Sequence, residues 1–151
     1  MIRKVAVHLF VVSLWAAPMV AQSLIKPPVA YDPARETTIV GTITQVVSVA
    51  GPDGTVGVHL NVKIATGEIV RVHLGPAMFI GMNNFYFIAE DRVAIRGAFV
   101  MHDGVVGFWA RQISKGAETL TLRDPDGTPR WPRATAEDPD GCGVPHEIIR
   151  F

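Results

Sequence analysis

The 151-residue chain carries 14 Lys+Arg against 14 Asp+Glu, 48% hydrophobic residues and a single cysteine. That length holds one domain, two at most, and the composition is globular. A formal charge of zero supplies no bulk field for a polyanion, and one cysteine excludes an internal disulfide.

Arg3 and Lys4 precede an apolar run from Val5 to Ala17, with small residues at Ala16, Ala17 and Ala21. This is the order of a secretory signal peptide. The run is shorter than the roughly 20 residues a membrane span needs, and His8 and Ser13 interrupt it. Residues 1–21 are therefore expected to be cleaved, after Ala21 or, because Met19 is large for the peptidase site, after Ala17. Removing 1–21 leaves 130 residues, 12 bases and 14 acids. The expected product is periplasmic or secreted, slightly acidic, and without an integral membrane segment.

Residues 22–36 contain Pro27, Pro28 and Pro33 and read as an extended N-terminal arm. Thr37 to Val49 is rich in β-branched residues, and Gly41 suggests a long first strand that bends to serve two neighbours. After the turn Gly51-Pro52-Asp53-Gly54, Val56 to Ile64 alternates strictly between apolar and polar residues. A third strand follows with Val70, Val72 and Leu74 on one side. Matching the apolar faces places Ile64 opposite Val70, Lys63 opposite Arg71 and Asn61 opposite His73, around a Thr66-Gly67-Glu68 loop. His59 then lies diagonally from His73. Gly75 to Ile88 breaks the alternation and reads as a short capping helix or loop.

The fourth strand, Arg92 to Met101, aligns Val93, Ile95 and Phe99. A fifth, Val105 to Ser114, sets Val106, Phe108 and Ala110 against Val105, Trp109 and Ile113. Glu118 to Arg123 reads as a short additional strand, with Thr128 to Trp131 returning against it. Residues 132–151 form a Pro-, Gly- and acid-rich C-terminal tail, ordered where Trp131 or the Cys142 to Phe151 segment docks. The expected fold is all-β: a small five-stranded barrel over 37–131 with irregular arms, since closure removes exposed sheet edges.

Several stretches carry a resemblance: Thr38-Ile39-Val40-Gly41-Thr42-Ile43, His59-Leu60-Asn61-Val62-Lys63, and Val72-His73-Leu74-Gly75-Pro76. Asp91-Arg92-Val93-Ala94-Ile95-Arg96-Gly97 and Leu120-Thr121-Leu122-Arg123-Asp124 extend it. Over Tyr31 to Trp131 the chain resembles bacterial exported OB-fold proteins of largely unknown function. The resemblance implies an OB-fold barrel and selects no activity, because that fold hosts unrelated tasks.

Candidate ligand-binding residues are His59, Asn61, Lys63, Arg71 and His73, expected on the outer face of strands two and three. Lys63 and Arg71 would attract an anion there, extended by Arg96 or Arg111, with Trp109, Phe79 or Tyr86 as stacking surfaces. The bland alternative is a solvated sheet face with its aromatics in the core. His59 and His73 fall short of the ligand count of a zinc site on their own, and His102 is expected at the surface of a turn. Cys142 and His146 suit copper, zinc or haem iron. Cys142 is alternatively an incidental thiol or an intermolecular disulfide partner. Missing the second cysteine, this stretch disfavours c-type haem.

No nucleophile–base pair or paired carboxylates point to an enzyme. The expected function is a non-catalytic accessory or binding protein contacting another envelope protein or complex. The alternative is a metal-binding or anionic-ligand-binding module, for an oligonucleotide or glycan. Acidity and export disfavour nucleic acid as a partner.

Overall fold

The computed structural model describes residues 30–51, 54–102 and 104–132. The segment 1–21 expected to be a leader and the tail from 133 onward lie outside these residues, as do Cys142 and His146. The Thr-, Val- and Ile-rich stretch forms β1 (Thr37–Ala50). It is followed by β2 (Val56–Ile64), β3 (Ile69–Pro76), α1 (Ala77–Met82), β4 (Arg92–His102), β5 (Val105–Lys115) and β6 (Glu118–Thr121). A 3-10 turn at Pro33–Arg35, capped by the Asp32 carboxylate, leads in.

The strands make one six-stranded sheet in the order β3-β2-β1-β4-β5-β6, and β3 additionally meets β5. Neighbours in that order are antiparallel, whereas the β3–β5 contact is a parallel pairing of Val72 with Phe108 and His73 with Trp109. The architecture is broadly OB-fold-like: beside the five strands expected of the barrel stands β6, which falls within the short additional strand expected over Glu118 to Arg123. The first strand does serve two neighbours. Thr37 to Thr42 pair with β4, and Gly41 to Ala50 pair with β2.

The β2–β3 register differs by two residues from the one inferred by matching apolar faces. Lys63 lies opposite Ile69, Asn61 opposite Arg71, and His59 opposite His73. The turn decides this. Gly67 takes φ +89, its N–H donates to the Ile64 carbonyl, and the Ile64 N–H donates to the Glu68 carbonyl. That closes a three-residue loop with a bulge glycine. A slip of two keeps side-chain parity, so the faces expected from the sequence survive while the pairs change.

The core follows from that parity. Leu60, Val62, Val72, Leu74, Ile95, Phe108, Ala110 and Ile113 are completely buried. Ile113 joins Phe108 and Ala110 instead of opposing them, because Arg111 is an extra residue between Ala110 and Gln112 in the β4–β5 ladder. Such a bulge inverts the parity of everything beyond it. The capping helix expected within Gly75 to Ile88 is α1, which inserts Ile80 into the core.

If the turn selects the register, Gly67→Ala should cost about 1–2 kcal/mol, because a Cβ disfavours the left-handed conformation. Gly67→Asn should lose distinctly less. Urea unfolding of both variants checks this, and an Ala variant as stable as the parent would remove the turn as the deciding element.

Candidate functional site

The five residues expected on one open face are divided by the structure. They do share a side of the sheet, yet His59 is completely buried and His73 is half-buried. A row of paired positions runs from Val47 through His59 and His73 to Trp109 and Ala98. The two imidazole centroids are 4.3 Å apart, and His73 lies 6.1 Å from the Trp109 ring. Ala98 and Val100 are completely buried on this same side. Gly107 comes so near that any side chain there would collide with the His73 ring. The reverse side of the sheet is thus a second buried layer wherever β5 comes alongside β3.

Arg123 seals this layer. It is 1% exposed, its Nη1 donates to the Gly127 carbonyl, and its guanidinium lies 5.2–5.6 Å from the Trp109, Trp131 and Tyr31 rings. Burial, assisted by His59 and the cations Arg71 and Arg123, pushes the His73 pKa from 6.5 down to about 3. The ring is neutral at physiological pH. His102, expected at the surface, is half-buried with its ring 6.3 Å from Trp109. Among the described residues, no group of three or more His, Cys, Asp or Glu is arranged to hold a metal ion.

The other half of the face is open. Asn61 Nδ2 donates to Gln45 Oε1 at 2.9 Å, and Arg71 Nε donates to Asn61 Oδ1 at 2.7 Å. This chain of hydrogen bonds orients the Arg71 guanidinium. One step along the sheet, Thr42 pairs with Lys63 on one side and with Arg92 on the other. Lys63 and Arg92 are both exposed. Gln45 and Thr42 share a face despite their opposite parity because Thr44 is an extra residue in the ladder. The Thr44 hydroxyl donates to the Asn61 carbonyl at 3.1 Å, holding the bulge.

Arg71, Lys63 and Arg92 therefore make a diagonal stripe across β3, β2 and β4. Strand geometry spaces their backbones by roughly 8 and 10 Å. Arg92, Thr42 and Gln45 were missed from sequence. The outward parity of Arg92 is readable beside inward Val93, but which strand flanks β1 is not.

Arg96 and Arg111, expected to extend this cluster, are instead engaged with Glu36. Arg111 Nε and the Tyr31 hydroxyl donate to Glu36 Oε1 at 2.7 and 2.8 Å, and Arg96 Nε donates to Oε2 at 2.7 Å. Burial alone would raise the Glu36 pKa, but the hydrogen bonds from Arg111, Tyr31 and Arg96 outweigh it and hold it below the ordinary value. Burial and then Glu36 push the Tyr31 phenol upward. The expected stacking rings also lie elsewhere. Trp109 is under Arg123, Phe79 packs on Trp131, and Tyr86 lies under the Lys115 ammonium.

Residues 35–120 match the MamS/MamX magnetosome protein family. The chain belongs to that family. The match spans β1 to β5 and most of β6, so this MamS/MamX member carries its cationic stripe and its His59–His73 pair within the family region. No curated protein matches the chain. Among solved structures it is similar to the dimeric N-terminal domain of PriB from Thermoanaerobacter tencongensis. The two are 14% identical, the match covers 56% of this chain and 99% of that one, and the TM-score is 0.42. The expectation disfavouring nucleic acid as a partner does not stand, because Arg71, Lys63 and Arg92 gather positive charge on one open face whatever the total. Bulk charge is no ground for excluding that class. No helix among the described residues is long and apolar enough to cross a membrane.

The sign of the pH dependence follows from His73 and Glu36. With its folded pKa near 3, His73 takes up a proton more readily in the unfolded chain. Its contribution is complete above about pH 6.5 and is lost as pH falls toward 3. Glu36, with a lowered folded pKa, contributes above its ordinary value and loses that contribution below it. Urea unfolding should therefore show stability falling by about 2 kcal/mol between pH 6.5 and 5. His73→Gln should flatten most of that slope, and an unchanged slope would refute the assignment.

Proposed function

We propose that this MamS/MamX member is a binding module for an anionic oligomer, taken on the open face by Arg71, Lys63 and Arg92. The observation that carries this is the ordered stripe itself. Gln45 and Asn61 pre-orient one guanidinium, two exposed cations follow diagonally, and no carboxylate occupies the paired positions between them. Thr42 adds a hydroxyl between Lys63 and Arg92. Exposed Ile69, paired with Lys63, adds apolar surface.

An ammonium and two guanidiniums suit phosphate, sulfate or carboxylate groups repeated along a chain. OB-type domains place such ligands on the β2–β3 face, and we take the β3–β5 pairing as the closure of that barrel type. The leader-like residues 1–21 support a site of action outside the cytoplasm, and the family name supports a task connected with magnetosomes. A metal role for Cys142 and His146 would be separate from this face and falls outside the described residues.

Titration with a single-stranded oligodeoxythymidylate and, separately, a sulfated glycan, each at low and physiological salt, tests the proposal. For the oligonucleotide, log K should fall with log salt with a slope of about −2, as three phosphate contacts require. Combined Lys63→Ala, Arg71→Ala and Arg92→Ala should abolish binding of whichever ligand is taken. Arg96→Ala, which alters the Glu36 cluster, should leave that binding unchanged. Undiminished binding by the triple variant, or no binding of either ligand at low salt, would overturn it.

A further inference from the structure

Beyond Ile43, β1 has a strand on one edge only. Up to Thr42 its second edge is taken by β4, and at Ile43 by the backbone of Glu90 and Asp91. From Gln45 to Ala50 it pairs with β2 alone, and among the described residues no backbone hydrogen bond reaches its outer edge. Which groups face outward follows from the hairpin. The Gly51 N–H donates to the Thr55 carbonyl, toward β2. Alternation along the strand then turns the N–H and C=O of Ala50, Ser48 and Val46 the opposite way. On the core side of the sheet, Ser48 and Ala50 are exposed. So are Val46 and the Ala50 partner Val56, at 37% and 42%.

Open edges are normally blunted by charge or proline, because their free backbone groups template pairing with another chain. This edge carries neither. Among the six described strands, β1 alone has no charged residue, and Val46-Val47-Ser48-Val49-Ala50 contains no proline. We propose that it pairs antiparallel with the same edge of a second copy, about a two-fold axis at Ser48. In that register Ser48 faces Ser48, Val46 faces the second copy's Ala50, and Val47 faces the second copy's Val49. Val46, Ser48 and Ala50 then each exchange both backbone hydrogen bonds with the residue opposite. A second copy suits the edge because symmetry sets each side chain against another from the same strand, and valine, serine and alanine meet without like-charge repulsion. The exposed Val46 and Ala50 cover one another, with Val56 one strand further on. Such pairing leaves Arg71 and Lys63 of both copies on the same side of the joined sheet. The proposal does not depend on the anionic-ligand reading, because Val46 to Ala50 lies outside the cationic stripe.

Sedimentation equilibrium of the full chain over a range of concentrations provides the test, and should show monomer and dimer in exchange. Ser48→Lys sets two ammoniums face to face on the axis and should weaken the dimer by about tenfold or more. Ser48→Glu should do the same. An equimolar mixture of the two variants, one of them isotopically heavy, should recover a one-to-one heterodimer by native mass spectrometry, which also shows that both are folded. Ser48→Cys in a Cys142→Ser background should oxidise to a covalent dimer. Opposed residues that exchange backbone hydrogen bonds have Cα atoms about 5.5 Å apart, within the span of a disulfide. A chain that stays monomeric at every concentration would overturn the proposal, leaving the edge to a strand of another protein. A dimer as tight with Ser48→Lys as without it, or a Lys–Glu mixture that stays monomeric, would overturn it as well.

Discussion

Where β3 comes alongside β5, Val72 lies beside Phe108 and His73 beside Trp109. Adjacent residues point to opposite sides of a strand, so these two pairs assign each side of the sheet its role. Val72 and Phe108 belong to the main core. His73 and Trp109 are drawn into a second buried layer with His59, Ala98 and Val100. Desolvation there keeps His73 uncharged. The cations at the far end of the same face remain accessible because β5 does not reach them. One backbone contact thus separates a structural histidine layer from a candidate binding surface.

Local charge and bulk charge diverge for an equally concrete reason. Several acids are consumed by partners away from the stripe. Glu36 holds Arg96 and Arg111, Asp91 holds Lys115, and Asp124 holds Arg130. The Glu36 cluster ties the residue before β1 to β4 and β5, and so removes two cations that would otherwise have counted toward anion binding. Arg71, Lys63 and Arg92 keep a local positive field on a chain that is neutral overall, and ligand recognition depends on that local field.

Much of the fold was legible in the residues. The alternation from Val56 to Ile64 and from Val70 to Leu74 marked two strands and their inward faces, and the composition of Thr37 to Val49 marked a first strand with two neighbours. The break after Gly75 marked the helix. The features that escaped were single-residue irregularities. The extra residue at Arg111 reverses the face of Ile113, that at Thr44 brings Gln45 into line with Asn61, and the Gly67 turn shifts the β2–β3 pairs by two. None of these disturbs composition or periodicity enough to be read, because each is settled by competition among backbone hydrogen bonds.

The candidate site shows the same division. From the sequence by itself came the all-β class, the inward and outward parity of β2 and β3, and the membership of Asn61, Lys63 and Arg71 in one face. Those are properties of a period-two chain and require no knowledge of neighbours. Only the tertiary structure decided that His59 is buried and His73 half-buried, that Glu36 occupies Arg96 and Arg111, and that Arg92 stands across Thr42 from Lys63. Each of these depends on which strands lie side by side, a choice made by long-range burial and hydrogen bonding that local sequence does not encode.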